Sequence, residues 1–238
     1  MSLAGQIKPL GKLRALDVDF AQIAALVETQ LSEAIGALDR RDIAVAERVI
    51  AVDKKVDALN RQIDQKVIEV LKEGGLTDRQ LRQAISYLKL AGELERVGDL
   101  AKNVAKRTLV VSREAPAQSM ITGVVRMGRA SLRQLSDILS AFQAANLTAA
   151  SAVWAGDSDL DELYNSLYGE LMQAMSDDAK RIPAGAHLLF ISKNFERIGD
   201  HATNIAEAIH FVETGSPFPE ARPKGDETAA ALPGRRAE

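Results

Sequence analysis

Eight acidic residues stand in four pairs of equal spacing: Asp53 and Asp57, Glu95 and Asp99, Asp157 and Asp161, Glu196 and Asp200. Four positions along a helix bring both carboxylates of a pair onto one face. Like charges placed so cost about 0.2–0.5 kcal/mol per pair unless a cation neutralises them. Carboxylate oxygens suit hard or borderline ions such as magnesium, manganese, calcium or iron, and zinc and nickel also accept them. Asn103 and Asn204 lie four residues beyond Asp99 and Asp200, which extends the polar stripe by one turn and offers further ligands or orienting groups. Arg96 and Arg197 adjoin Glu95 and Glu196 and are the natural competitors of a metal. Spacing alone leaves both a cation site and a solvated, salt-bridged face open.

Other chemistries have little material. There is no cysteine, which excludes a disulfide scaffold, thiolate zinc sites and a cysteine nucleophile. The three histidines are His187, His201 and His210, and only Glu207 with His210 has the Glu-x-x-His spacing that a ferritin-like di-iron centre needs on two helices. His201 takes the place of Leu100 in the repeat described below, so that repeat does not require it. No Gly-rich phosphate loop, His-Glu-x-x-His element or nucleophile motif occurs, and the expectation is a protein that is not an enzyme. Thirty basic against thirty-three acidic residues argue against a nucleic-acid binder. No apolar run approaches the roughly 18 residues of a membrane span. The first residues have no charged-then-apolar leader pattern, which makes a soluble, cytoplasmic protein the expectation.

The elements that carry these pairs read as helices throughout. Of seven prolines only Pro116 and Pro183 fall between Leu10 and Ser216, and Ile23, Leu26, Val27, Gln30, Leu31, Ala34, Ile35 and Leu38 trace one stripe at helical spacing. A first helix is expected over about 10–39, and Asp42 caps a second that stops at Gly74-Gly75. Thr77 or Asp78 caps a third that runs to about Val111. After Glu114-Ala115-Pro116 come a fourth helix (118–144) and a fifth (147–176) capped by Asn146. A loop over Asp177–Gly185 then leads to a sixth helix ending near Thr214-Gly215. From Ser216 onward, prolines and small or charged residues suggest a disordered tail. Trp154, Phe195 and Phe211 sit at helical positions and are expected in the core.

These helices form two sets of three. Residues 95–106 recur at 196–207 with seven of twelve positions identical and two Val-to-Ile exchanges. Upstream, Asp42, Asp53 and Asp57 align with Asn146, Asp157 and Asp161. The all-α chain therefore divides into a three-helix unit over 10–113, a second over 118–215, and the tail 216–238. If the last two helices of the first unit form an antiparallel hairpin turning at Leu76, Asp57 faces Glu95 and Asp53 faces Asp99. A turn between Asp178 and Ala179 does the same for Asp161 with Glu196 and Asp157 with Asp200. All four carboxylates of each unit then meet at one level, to within about 5 Å of helical rise.

At Glu95-Arg96-Val97-Gly98-Asp99, at residues 196–207, at Ala46–Asp57 and at Glu213-Thr214-Gly215, the sequence resembles the PhoU family of phosphate-signalling proteins. The resemblance implies two homologous three-helix bundles side by side, often in homodimers. It implies multinuclear metal clusters on Asp53, Asp57, Glu95 and Asp99 and on Asp157, Asp161, Glu196 and Asp200. The ions would be divalent or trivalent: iron, zinc, manganese, magnesium or nickel. It also implies a cytoplasmic, non-enzymatic negative regulator of the phosphate-starvation response, linking the phosphate ABC transporter to the sensor histidine kinase PhoR. A metal-free helical scaffold, or a carboxylate-metal enzyme, are the other readings. The Gly74–Thr77 turn and the long tail depart from the family pattern.

Overall fold

The computed structural model describes residues 3–219, and these contain helices and no strand. The first unit is α1 (Leu3–Arg40), α2 (Ile43–Glu73) and α3 (Asp78–Glu114). The second is α4 (Gln118–Gln143), α5 (Leu147–Ala155), α6 (Asp157–Asp177) and α7 (Ile182–Thr214), with a 3₁₀ turn at Ala179–Arg181.

Local chemistry repeats with the sequence. Asp42 accepts from the Val45 amide at 3.0 Å, and its counterpart Asn146 accepts from the Ala149 amide at 3.1 Å. Before each cap one residue takes a left-handed conformation, Arg41 at φ 54° and Ala145 at φ 48°. Asp42 N–H donates to Ala37 O and Asn146 N–H to Ala141 O, each at 2.9 Å, so both turns satisfy the helix-end carbonyls in one pattern. Thr77 and Gln80 close a reciprocal capping box at the start of α3.

Four expectations need correction. The helix expected over 147–176 is two, because Gly156, with φ −82° and ψ 8°, ends α5 and lets α6 start at Asp157. Glycine weakens a helix interior by about 1 kcal/mol, and here the chain bends at it. The loop expected up to Gly185 is shorter, since Pro183 sits in the first turn of α7, where a missing N–H costs nothing. α1 begins at Leu3 rather than near residue 10. Among the aromatic residues, Phe195 and Trp154 are buried, but Phe211 is exposed. Of the tail expected from Ser216, residues 220–238 lie outside the described residues. Within the described part, Phe218 stacks on Trp154 at 4.6 Å and on His210 at 4.3 Å between ring centroids, which folds the chain back over α5.

α3 and α7 run antiparallel side by side and join the units, with Arg82 Nε donating to Val212 O at 3.2 Å and Arg107 beside His187 at 3.3 Å. Phe195 of α7 is fully buried between α1 and α4. A Cβ on Gly128 would stand 2.8 Å from its ring and 3.0 Å from Ile35, so the helices meet there at glycine distance. Phe20, Tyr87 and Phe142 form an edge-on trio across α1, α3 and α4, with centroids 4.6–5.8 Å apart. The two units thus share one core. Among the described residues no helix is long and apolar enough to cross a membrane.

Candidate functional site

In the first unit Asp53 and Asp57 lie on α2, and Glu95 and Asp99 on α3, all half-buried. Lys102 joins the two helices: its Nζ donates to Asp53 Oδ2 at 2.7 Å and to Asp99 Oδ1 at 2.5 Å. Burial drives the Glu95 carboxyl above its ordinary pKa, and Asp99, Asp57 and Asp53 push the same way against Arg96. Glu95 therefore feels all three other members of its set. Arg96 reaches Glu95 at 3.4 Å and Asp99 at 3.9 Å from an exposed position, too solvated to neutralise the set firmly.

The second set is more enclosed. Asp157, Asp161 and Glu196 are buried and Asp200 is half-buried. Asp157 opens α6, where the helix dipole favours negative charge, and Thr203 Oγ1 donates to its Oδ1 at 2.9 Å. Lys193 Nζ approaches Glu196 Oε1 at 3.0 Å and lies 5.0 Å from the Tyr164 ring centroid. Burial raises the Glu196 carboxyl, with Asp200 and Asp161 adding to it and Lys193 opposing. Glu196 Oε2 is buried without a hydrogen-bond partner.

In each unit a side chain three residues past the last carboxylate meets the first carboxylate on the facing helix. Lys102, three residues past Asp99, meets Asp53; Thr203, three past Asp200, meets Asp157. Each set stays on its own hairpin, and in the first unit Lys102 bridges Asp53 and Asp99 directly. Among the described residues no three Asp, Glu or His side chains are drawn into a ready coordination cage. Around both sets carboxylates turn toward lysine ammonium groups instead.

The accessory residues go elsewhere. Asn103 and Arg197 are exposed. Asn204 reaches across the units: its Nδ2 donates to Glu93 Oε2 at 3.0 Å, beside His201 Nδ1 at 2.6 Å from the same oxygen. Sequence reasoning missed Lys102, Lys193 and Glu93. A basic residue three positions from a carboxylate signals the first two, whereas Glu93 lies 108 residues from His201 and has no such local signal. It also placed Gln30 in an apolar stripe, where it is buried and polar.

Comparison with known proteins agrees with this architecture. The PhoU domain profile matches residues 20–108 and 124–209, one match in each unit. A phosphate-specific transport system accessory protein PhoU homolog from Caulobacter vibrioides is 38% identical over 221 residues, covering 92% of this chain and 96% of the relative. The phosphate-specific transport system accessory protein PhoU of Escherichia coli is 30% identical over 233 residues, covering 98% and 95%. The crystal structure of PhoU from Pseudomonas aeruginosa superposes with a TM-score of 0.84 at 28% identity, over 87% of this chain and 99% of that one. That of the phosphate transport system regulatory protein PhoU from Streptococcus pneumoniae gives 0.80 at 29% identity, over 87% and 98%. The chain belongs to the PhoU family.

Proposed function

We propose that this chain is a cytoplasmic, non-enzymatic negative regulator of the phosphate-starvation response. In this reading it couples the phosphate ABC transporter to the sensor histidine kinase PhoR and acts as a homodimer. The relatives' role as accessory proteins of phosphate-specific transport, over nearly their whole length, carries the reading. A strain lacking the gene should express phosphate-starvation genes in phosphate-replete medium, and complementation should restore repression. Normal repression in the deletion strain would overturn the proposal.

The two carboxylate sets are proposed to hold the metal clusters. The donor chemistry fits: each set offers four acidic side chains and one lysine in place of a balancing charge, and Glu196 Oε2 is buried without a partner. Asp53, Asp57, Glu95 and Asp99 would hold one cluster, and Asp157, Asp161, Glu196 and Asp200 the other. Bound cations would supply the charge that lets four carboxylates converge, and would tie the last two long helices of each unit together. Elemental analysis of purified protein should find iron, zinc, manganese, magnesium or nickel. Asp99→Ala and Asp200→Ala should each remove roughly one set's share while the helical content stays. Wild-type protein that is metal-free and resists reconstitution would sink this part.

A further inference from the structure

The two units differ on one face. In the first, α1 closes on α2, and Gln30 Nε2 donates to Val49 O at 3.2 Å. In the second, the corresponding Gln134 Nε2 of α4 is buried without a partner, although Val153 of α5 stands where Val49 does. A groove of about 790 Å³ lies instead between α4, α5 and α6, with Val153, Leu160 and Leu163 along it. Its lining runs from Ala130 to Ala144 on α4, about 21 Å at 1.5 Å of rise per residue. That length is too drawn out for a compact small molecule and equals about four turns of a helix.

The duplicated pattern shows what opens the groove. With Asp42 aligned on Asn146, Leu26, Val45 and Val52 of the first unit give way to Ala130, Ala149 and Gly156, and all three replacements line the groove. Val45 is buried and Leu26 and Val52 are half-buried, so the first unit fills the corresponding space with its own aliphatic side chains. Val52 also carries α2 on without a break, whereas Gly156 ends α5. The rim changes as well. Arg40 and Arg48 give way to Ala144 and Ala152, and Lys55 to Asp159. The charged residues that line the groove are Asp137, Asp159 and Arg133, which leaves one negative charge in excess. What the first unit has and the second lacks is therefore aliphatic volume and positive charge. An amphipathic helix with basic residues beside its apolar stripe carries both.

We propose that this groove docks an amphipathic helix of a partner protein. The helix sets its apolar face between α4, α5 and α6 and its arginine or lysine side chains against Asp137 and Asp159. The docking needs no cation at the carboxylate sets. The test uses the full chain and the fluorescence anisotropy of a labelled helical peptide of about 14 residues. One face of the peptide is Leu and Ala with Arg beside it, and a control peptide has Glu in place of Arg. The arginine peptide should bind at least about tenfold more tightly than the glutamate peptide, with a difference that shrinks in high salt. Ala130→Leu with Ala149→Val restores the first unit's filling; it should weaken binding at least about tenfold and raise the melting temperature. Ala144→Arg with Ala152→Arg sits at exposed positions and should weaken binding with the melting temperature unchanged. Should the filled pair fail to fold, the arginine pair decides. Wild-type protein that binds neither peptide, or arginine-peptide affinity that these substitutions leave unmoved, overturns the proposal. Sedimentation of the same proteins tests the other occupant: a wild-type dimer that the filled pair turns into a monomer gives the groove to a second copy of this chain and overturns the proposal too.

Discussion

Replacing Lys102 with threonine is expected to strengthen Mn²⁺ binding by the first carboxylate set at least about tenfold. The ammonium of Lys102 stands within 2.7 Å of Asp53 on one helix and 2.5 Å of Asp99 on the other, and its side chain is 20% exposed. Burial by itself would lower its pKa, but the hydrogen bonds and charges of Asp53 and Asp99 push it up to about 12. It is thus a fixed positive charge in the space a metal ion needs. Two unit charges about 4 Å apart interact by roughly 4 kcal/mol at an effective dielectric constant of 20. A swinging lysine escapes much of that, and about 1.4 kcal/mol left over is the tenfold. Thr203, at the corresponding place, supplies a neutral hydroxyl to Asp157, and the second unit's lysine, Lys193, is 37% exposed and pairs along its own helix. The second set should therefore bind Mn²⁺ more tightly than the first in the wild-type protein. Lys102→Thr should close the gap, Thr203→Lys should weaken the second set, and Lys193→Ala should have the smaller effect of the two lysine variants. Calorimetry on chelator-stripped protein reads all four; equal affinities that Lys102→Thr leaves unmoved would refute the internal-cation account.

How far the sequence showed this site depends on the distance over which each interaction acts. The repeated Glu-Arg-x-Gly-Asp segments, the Asp42 and Asn146 caps and the Gly74-Gly75 stop are local, and the structure has Asp42 and Asn146 capping their helices and Gly74-Gly75 ending α2. Hairpin geometry was legible to within a turn, since antiparallel helices leave only the loop to set the slide. Gly156 was not, because a single glycine is tolerated in many helices and only packing of α5 and α6 against α7 decides whether it bends one. Asn204 misled for the opposite reason. Its position one turn past Asp200 implied a part in its own unit's site, but its side chain turns to a glutamate on the other unit. No period or cap predicts that contact.

That glutamate underlies the second large effect, a loss of about 1–2 kcal/mol of stability in Glu93→Gln. Glu93 of α3 receives His201 Nδ1 and the Asn204 amide of α7 on one oxygen, and its side chain is 16% exposed. Hydrogen bonds to a charged group contribute about 1.5–3 kcal/mol, and partial exposure takes off some of that. The exchanged arrangement cannot form, because Asn194 and Leu100 occupy the places of Glu93 and His201 in the duplicated pattern. This connection between the units is therefore one-sided. Burial alone would raise the Glu93 carboxyl, but His201, Asn204 and the nearby Lys89 charge together hold it below its ordinary pKa. A carboxyl depressed in the folded state stabilises the fold above its unfolded pKa of about 4.3 and loses that contribution as pH falls through the lower folded value. The stability gap between wild type and Glu93→Gln should accordingly be full from pH 7 down to about 5 and shrink below about 4. Urea unfolding across that range measures it, and a double-mutant cycle of Glu93→Ala with His201→Ala at pH 7 should give a coupling above about 0.5 kcal/mol. A gap that stays constant from pH 7 to 3, or a coupling near zero, would show that the Glu93 contacts add nothing to the hold between α3 and α7.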